Sequence, residues 1–380
     1  MSTTTLTKKA SQKLFEEVIS SGLCTLCGAC VGACPYFKFN PRRGKIRRID
    51  ICDREEGQCY LYCPRTYTDI DAIYRHIFGV PYDENVLGVG VIKDIFLART
   101  TDQDIKKKAQ DGGSVTTLLW TAMQEGMVDA VVETKMSEDK VAGGFIARSK
   151  EDLLSCAGNS YESSASIEAL NKIPPESEEK LALVGLPCQV AAVAKMKVEP
   201  PRNRFNIENL KLVVGLFCGW SLSPGSFHEF LTQRYDLSQV TKFDIPHHPA
   251  HTFDLYMKSG KKEEIELEDI RQFINEACSY CCDMTSQFAD ISVGSGRAMF
   301  RGWNTVIVRT DMGAKVVELA KKKGNLETQP IPPENLTHLK RASLNKMKNN
   351  IQNLMKLSGS KEDLRYLGIK SEIVEKILQS

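Results

Sequence analysis

Four cysteines in the second half of the chain carry the clearest chemical signal. Cys278 and Cys281 form a C-x-x-C pair just before an apolar, strand-like segment that ends in glycines, within CSYCCDMTSQFADISVGSG. Cys188 and Cys218 each follow an apolar run, in LALVGLPCQ and LVVGLFCG. Ligands of open α/β sheets gather where strands end, so we expect these thiols to meet at one edge of a sheet. The pattern predicts one iron–sulfur site in the folded core.

A second set of cysteines lies near the N-terminus, in CTLCGACVGACP. The set has the spacing of a ferredoxin-type cluster loop and ends before a proline: Cys24, Cys27, Cys30 and Cys34. A [4Fe-4S] cluster needs four thiolates around a small volume, and Gly28 leaves the backbone room to approach the sulfides. The spacing therefore predicts a [4Fe-4S] cluster, with a zinc knuckle as the alternative.

A third set, in ICDREEGQCYLYCP, is less regular, because Asp53 and Glu56 stand where two further cysteines would fall. In two-cluster ferredoxins the last cysteine of a run binds the other cluster. This crossover predicts a first cluster on Cys24, Cys27, Cys30 and Cys63, and a second on Cys34, Cys52 and Cys59. The second cluster has no evident fourth ligand. Three alternatives follow for this second cluster: a three-iron cluster, an oxygen ligand, or a fourth cysteine from a more distant part of the chain.

The segment between these two sets, NPRRGKIRR at 40–48, is strongly basic. One interpretation is a solvated turn and hairpin beside the clusters. The other is a docking patch for an acidic electron carrier or partner subunit, since opposite charges raise the rate of encounter.

Composition narrows the class of protein. The chain has 380 residues and a net charge of +2, so its overall charge favours neither nucleic acid nor an anionic membrane as a partner. The sequence shows no signal peptide and no apolar run long enough to span a bilayer, which predicts a cytoplasmic protein. Thirteen cysteines in a reducing compartment indicate metal ligation or redox chemistry more than disulfides.

Alternating strand and helix patterns begin near residue 90 and must position the core cysteines. Gly112 and Gly113 precede an apolar helix for which Ser114 is the expected N-cap, and such a helix start can hold a phosphate. A polar loop at 157–164 could present side chains to a cofactor. His247, His248 and His251 are interpreted as part of a proline-bounded loop, with a metal site as the alternative.

The expected fold is an α/β core with a mixed or mainly parallel sheet. A small α+β ferredoxin-like N-terminal domain precedes it, and a helical C-terminal segment follows. The predicted boundaries are 1–85 for the iron–sulfur domain, 86–325 for the α/β core and 326–380 for the helical segment. The C-terminal helix is expected to pack against the core or contact another subunit.

The ordered motifs QDGGSVTTLL, AGNSYESS, VGLPCQVAAVAKM, VGLFC, CSYCCDMTSQFADISVG and GWNTVIVRT resemble those of the coenzyme F420 hydrogenase/dehydrogenase beta-subunit family with a ferredoxin-like extension. The resemblance spans residues 20 to about 320. It implies an FAD-containing flavoprotein with a core 4Fe-4S cluster. The implied cluster ligands are Cys188, Cys218, Cys278 and Cys281. The implied FAD-binding residues are Gly112, Gly113, Ser114, Thr116, Asn159 and Tyr161.

The resemblance also implies a function: an electron-transferring oxidoreductase subunit that exchanges hydride between coenzyme F420 and FAD. Single electrons would then pass through two or three 4Fe-4S clusters to a partner. Expected partners are other subunits of a redox complex, such as a hydrogenase, a formate dehydrogenase or a heterodisulfide reductase, or a ferredoxin. The alternatives are a ferredoxin-linked flavoprotein reductase that does not use F420 and an electron-relay or scaffold subunit without its own substrate.

Overall fold

The structure is a computed structural model that describes residues 8–201, 207–246, 250–296 and 300–380. Its α-helices are α1 (Ala10–Leu14), α2 (Gln58–Leu61), α3 (Ile70–Phe78), α4 (Gln103–Lys108), α5 (Ser114–Gln124), α6 (Lys150–Cys156), α7 (Ile167–Asn171), α8 (Pro187–Val198), α9 (Pro224–Thr232), α10 (Leu267–Arg271), α11 (Asp311–Lys322), α12 (Pro333–Ser358) and α13 (Ser371–Gln379). His247 and His248 lie outside the described residues, so the histidine loop stays a prediction.

The strands are β1 (Phe37–Asn40), β2 (Lys45–Arg48), β3 (Thr68–Asp69), β4 (Asp94–Thr100), β5 (Ala130–Met136), β6 (Ala142–Ala147), β7 (Leu181–Gly185), β8 (Leu210–Leu216), β9 (Val240–Asp244), β10 (Thr252–Met257), β11 (Lys262–Glu266), β12 (Ile291–Ser295), β13 (Asn304–Val308), β14 (Leu326–Pro330) and β15 (Leu367–Gly368). Eight of them form the central sheet, in the order β14-β4-β13-β12-β8-β7-β5-β6.

The central sheet contains both parallel and antiparallel pairs, so it takes the mixed form of the two forms predicted, mixed or mainly parallel. The inner pairs β12/β8, β8/β7 and β7/β5 are parallel, whereas the pairs towards both edges are antiparallel. Because β4 is separated from β12 by one antiparallel neighbour, β4 runs in the same direction as the parallel strands. The carboxyl ends of β4, β12, β8, β7 and β5 therefore share one edge of the sheet, here called the carboxyl edge.

Helices cover both faces of this sheet. Side chains of β7 alternate between two apolar clusters, Leu181 and Leu183 facing one and Ala182 and Val184 the other. The first cluster packs on α3, α7, α8, α12 and α13, and the second on α5, α6 and α11. Burial on both faces explains why these strands are continuously apolar. The α/β prediction with a mixed sheet is confirmed.

Two smaller units complete the fold. The antiparallel sheet β11-β10-β9 has its own apolar cluster, which includes Phe227 from α9 and Ile270 from α10. The N-terminal region contains α1, a π-helical turn at Phe15–Ile19 and the β1/β2 hairpin. Near the C-terminus, β15 pairs in parallel with β3, so the last part of the chain is attached to the end of the N-terminal region.

Candidate functional site

Four cysteines of the N-terminal region surround one recess and are here called the inner thiols: Cys24, Cys27, Cys30 and Cys63. The recess has a volume of about 320 Å³ and also touches the apolar side chains of α1 and β2. Burial, with the charge of Cys63 beside them, raises the pKa of Cys24 and Cys27 to about 12. Burial and the charges of the other three thiols raise the pKa of Cys30. Cys24 and Cys30 are half-exposed because they line the recess.

Three further cysteines, the outer thiols, lie beside this group: Cys34, Cys52 and Cys59. A hydrogen bond with Cys34, followed by burial, raises the pKa of Cys59, and the charge of Cys52 acts on Cys59 in the same direction. Cys52 is half-exposed. Burial opposes its thiolate, but hydrogen bonds with Ser11 and Arg54 together outweigh burial and lower its pKa. The charge of Cys30, one of the inner thiols, also acts on Cys59, so the two groups adjoin.

The core thiols are the four that the sequence predicts at the sheet edge: Cys188, Cys218, Cys278 and Cys281. Cys188 lies in the first turn of α8 after β7, and Cys218 follows β8 by two residues. Cys278 belongs to the 3-10 helix Glu276–Tyr280, and Cys281 ends it. Burial raises the pKa of Cys218, and the charges of the other three core thiols raise it further. The structure therefore brings the four together at the carboxyl edge.

Hydrogen bonds hold the core thiols in place. The Ser221 amide donates to the sulfur of Cys278 over 3.4 Å, and the Ser221 hydroxyl lies 3.6 Å from the same sulfur. These contacts fix the position of the Cys278 sulfur beside Ser221. Ser221 also contacts Ser163 over 2.6 Å, and Ser163 accepts a bond from Asn275. The polar loop at 157–164 thus touches the shell of the core thiols.

The long helix α12 supplies side chains that sequence reasoning missed. Lys346 donates to the carbonyl of Cys218 over 2.7 Å, and Asn350 to those of Cys278 and Cys281 over 3.1 and 2.7 Å. These two side chains stand four residues apart, so both lie on one helix face. Burial opposes the thiolate of Cys281, but the charges of Lys346 and Arg65 outweigh burial and lower its pKa. The four-residue spacing of Lys346 and Asn350 within an otherwise apolar face of α12 was the sequence signal that could have identified them.

Arg65 is the second feature that the sequence did not reveal. It follows Cys63 by two residues and is only 6% exposed. Its guanidinium donates to the carbonyls of Ala277 over 3.0 Å and Tyr280 over 3.2 Å, and lies 4.4 Å from the ring centre of Tyr366.

The charge of Arg65 lies between the inner and the core thiols. It favours the thiolates of Cys24 and Cys63 on one side and of Cys188 and Cys281 on the other. Its Nε atom is buried and has no hydrogen-bond partner among the described residues. Arg65 therefore connects the two groups electrostatically.

The cluster loop of the inner thiols packs closely on the core. The side-chain amide of Asn171 donates to the carbonyls of Ala29 and Val31 over 3.2 and 2.5 Å, and Ile167 donates its amide to the carbonyl of Cys27 over 3.2 Å. Gly28 has φ +87°, and a Cβ there would lie 2.5 Å from the carbonyl oxygen of Ala165. Only glycine fits this approach. The inner thiols are consequently fixed against the core, and the charge of Cys27 acts on Cys188.

The glycine pair before α5 lies at the carboxyl edge, but its details differ from the prediction. The expected N-cap, Ser114, is the first helical residue, and Gly113 takes the cap position with φ 73°. Ser114 is buried, its amide donates to Asn304 over 3.0 Å, and its hydroxyl donates to the Ala98 carbonyl. A Cβ on Gly112 would lie 2.6 Å from the Asn304 side chain. Close packing on β4 and β13 therefore requires Gly112, and Thr116 is buried in the first turn of α5.

The loop containing Asn159 and Tyr161 approaches the same region. Asn159 accepts from the amide of Tyr161 over 3.1 Å, and Tyr161 has φ 58°, a conformation uncommon for a bulky residue. The Tyr161 hydroxyl accepts from Gln110 over 3.3 Å and from the amide of Ile245 over 2.9 Å. Gln110 also donates to Asp244 of β9 over 2.5 Å. The glycine loop, the polar loop and the small sheet thus meet around Gln110.

Buried polar atoms of Gln110 and of the polar loop lack partners. Among the described residues, no hydrogen bond reaches Oε1 of Gln110 or Oε2 of Glu162. Burial raises the pKa of Glu162 to about 8. Unpaired buried acceptors are costly, so they mark a place where a bound polar molecule would complete the hydrogen bonding.

No three His, Cys, Asp or Glu side chains among the described residues are placed to hold a single metal ion. In a [4Fe-4S] cluster each cysteine binds a different iron, so its thiols stand further apart than the ligands of one ion. No described helix is both long and apolar enough to cross a membrane.

Comparison with known families first defines the class of this protein. Residues 17–36 match a 4Fe-4S binding domain. Residues 95–171 and 178–334 match the N-terminal and C-terminal parts of the coenzyme F420 hydrogenase/dehydrogenase beta subunit. The chain is an iron–sulfur oxidoreductase. It belongs to the coenzyme F420 hydrogenase/dehydrogenase beta-subunit family, which confirms the resemblance seen in the sequence.

Individual proteins that are named for coenzyme F420 are also similar to this chain. The beta subunit of the coenzyme F420 hydrogenase of Methanothermobacter thermautotrophicus is 33% identical over 247 residues, which cover 64% of this chain and 86% of the relative. One of the subunits of the F(420)H(2) dehydrogenase of Methanosarcina mazei is 28% identical over 323 residues, covering 83% of this chain and 87% of that one. A chain in the structure of the F420-reducing [NiFe] hydrogenase complex from Methanosarcina barkeri superposes with a TM-score of 0.63 at 27% identity. It covers 71% of this chain and 94% of its own length.

Proposed function

We propose that this protein is the flavin-binding subunit of a redox complex, and that it exchanges hydride between coenzyme F420 and FAD and delivers single electrons to a partner. The observation that carries the proposal is the succession of thiol groups. The core thiols lie at the carboxyl edge, the inner thiols lie beside them, and the outer thiols lie beyond the inner ones. Bound flavin converts a two-electron hydride transfer into single-electron steps, and iron–sulfur clusters carry single electrons.

The ligand assignment follows the grouping of the thiols. The inner thiols would hold one [4Fe-4S] cluster, the core thiols another, and the outer thiols an iron–sulfur cluster with three cysteine ligands. A zinc knuckle is the weaker interpretation. A structural zinc ion needs four donor atoms around one point. Among the described residues, no group of even three His, Cys, Asp or Glu side chains is placed to hold one metal ion. Free thiols at all thirteen cysteines suit cluster ligation.

The flavin is proposed to bind at the carboxyl edge, between the start of α5 and the polar loop. Gly112 and Gly113 place the helix start at this edge by packing closely on the sheet and on α4, and Thr116, Asn159 and Tyr161 supply polar groups. Ser114 is assigned to shaping the helix start, because its amide and hydroxyl are both engaged within the protein. The unpaired oxygen of Gln110 supports a ligand at this position.

Coenzyme F420 is proposed as the hydride donor or acceptor because the relatives are named for it. The proposed partner is another subunit of a hydrogenase-like or dehydrogenase-like complex, or a ferredoxin. The division into 1–85, 86–325 and 326–380 is part of the proposal. It is qualified by β14, which lies within 326–380 but belongs to the central sheet, and by α12, whose side chains complete the shell of the core thiols.

The test is anaerobic mixing of the iron-replete and flavin-replete protein with reduced F420, NADH or reduced ferredoxin in separate experiments, with the flavin absorbance followed in time. Rapid bleaching by reduced F420 supports the proposal. Bleaching by ferredoxin alone would instead make the outer thiols the entry point for electrons and favour the F420-independent reductase. A protein that retains iron but no flavin would favour a relay subunit.

A further inference from the structure

We infer that one face of the β1/β2 hairpin, with the segment that follows it, is the docking surface for a small acidic one-electron carrier protein. This surface, here called the outer hairpin face, consists of Lys38, Lys45, Arg47, Ile49 and Ile51. The inference rests on the proposed function, because it names the partner that exchanges electrons with the outer thiols.

The geometry of the hairpin creates this face. Lys38 stands directly opposite Arg47 in the antiparallel register. Side chains alternate along a strand, so Lys45 and Arg47 point outward while Ile46 between them is buried. The amide of Ile49 bonds to the carbonyl of Tyr36 over 2.8 Å, which continues the pairing beyond β2. Ile49 therefore extends the same outward row.

The three cations of this face are available to a partner. Lys38, Lys45 and Arg47 are exposed, and none of them forms an ion pair with a carboxylate of the described residues. By contrast, Lys150 beside the α/β core is paired with Asp102. Unpaired charge of one sign steers an oppositely charged protein and accelerates its association.

Exposed apolar side chains adjoin these cations. Ile49 is 63% and Ile51 is 56% exposed, values exceeded among the large apolar side chains of the described chain only by Tyr67. An apolar centre surrounded by charges is the usual composition of a protein–protein interface. Removing apolar side chains from water is favourable in free energy, and a docked partner would cover Ile49 and Ile51.

The position of the face also suits electron transfer. Ile51 directly precedes Cys52, which is half-exposed, whereas Cys34 and Cys59 are buried. A carrier on the outer hairpin face would therefore lie close to the outer thiols. Because redox encounters use small and transient interfaces, a patch of five side chains is of adequate size.

The experiment compares two charge-reversed double variants of the full-length holoprotein. Lys45→Glu with Arg47→Glu alters the outer hairpin face. Lys340→Glu with Arg341→Glu makes the same change in net charge on the exposed side of α12. The probe is a purified acidic two-cluster ferredoxin. Its dissociation constant is measured at several salt concentrations, together with the rate of its reduction.

We expect the hairpin variant to bind the ferredoxin about tenfold more weakly and with a smaller dependence on salt, since two favourable charge interactions are reversed. The α12 variant should bind like the wild type. Ile49→Ser with Ile51→Ser should weaken binding and leave the salt dependence unchanged. Equal binding by the hairpin variant and the wild type, or equal losses in both charge variants, would overturn the inference.

Flavin reduction by F420 separates this inference from the proposed function. A wild-type protein that is not reduced at its flavin would contradict the proposed function. If the flavin and clusters are reduced normally but the hairpin variant binds ferredoxin as tightly as the wild type, only the docking surface is contradicted.

Discussion

The inner and outer thiols lie in the same short region yet differ in number, packing and neighbours. The inner group has four cysteines around a recess and packs on the core through Gly28 and Asn171. The outer group has three cysteines, and Cys52 among them is half-exposed beside exposed isoleucines. These surroundings suit the inner group to passage of electrons within the protein and the outer group to exchange with a partner.

The largest expected effect comes from removing one ligand of each group. Cys27→Ala should lose about four iron atoms per chain and abolish electron delivery from the flavin to an external acceptor protein, because the path through the inner thiols is interrupted. Cys52→Ala should still allow the inner cluster to be reduced. Iron analysis and stopped-flow spectra of the clusters check this.

Cys156→Ala is the matched control, because Cys156 lies outside all three thiol groups, near Glu133. The Cys156→Ala variant should keep the iron content of the wild type and its rate of electron delivery. If Cys27→Ala delivered electrons at the rate of this control, the order of the groups would be wrong.

A chelator should separate the two groups by their packing on the core. Iron bound by the outer thiols should be released by an external chelator before the rest, since Cys52 is half-exposed, whereas the loop that carries the buried Cys27 packs against the core at Gly28 and Ile167. The release of iron, followed by absorbance, should show a fast and a slow phase. In Cys52→Ala the fast phase should be missing, and a single phase in the wild type would contradict the difference in packing.

Packing of the inner loop predicts a stability difference between two glycines. Gly28→Ala should lower the free energy of unfolding of the iron-free protein by about 3 kcal/mol, because the new methyl group meets the Ala165 carbonyl and φ is positive. Gly79→Ala also has a positive φ but meets no atom within 4 Å, and should cost about 1 kcal/mol. Denaturant titrations measure both. Equal losses would show that the loop does not pack tightly on the core.

The smallest expected effect concerns the buried charge of Arg65. Arg65→Gln should make the reduction potentials of the inner and core clusters more negative, because a nearby positive charge favours the added electron. The outer cluster should change least. Potentiometric titrations followed by electron paramagnetic resonance distinguish the clusters, and Arg65→Lys should restore much of the shift.

Tyr366→Phe is the control for Arg65, because it removes a hydroxyl that donates to the same Tyr280 carbonyl and leaves the charge unaltered. It should leave both potentials near their wild-type values. Equal shifts in Arg65→Gln and Tyr366→Phe would mean that Arg65 acts by holding the loop and not by its charge.

Elements that local chemistry specifies could be predicted from the amino-acid order alone. Apolar runs between helix patterns predicted an α/β core with a mixed or mainly parallel sheet, and the run LALVGLPCQ predicted β7 followed by a helix that includes Cys188, as the structure shows. Cysteine spacing predicted the grouping of Cys63 with the first three cysteines, and the structure brings these thiols together. Their binding of iron, like that of FAD by the glycine and polar loops, stays a prediction.

The distant residues that complete these sites became visible only in the folded chain. Arg65, Lys346 and Asn350 carry no motif, and their roles arise because separate elements pack against the cysteine loops. The helix start at Ser114 was misjudged by one residue, since Asn304, 190 positions away, supplies the acceptor for its amide. Local patterns fix strands, helices and ligand spacing, but hydrogen bonds between remote segments depend on a packing that no short sequence pattern contains.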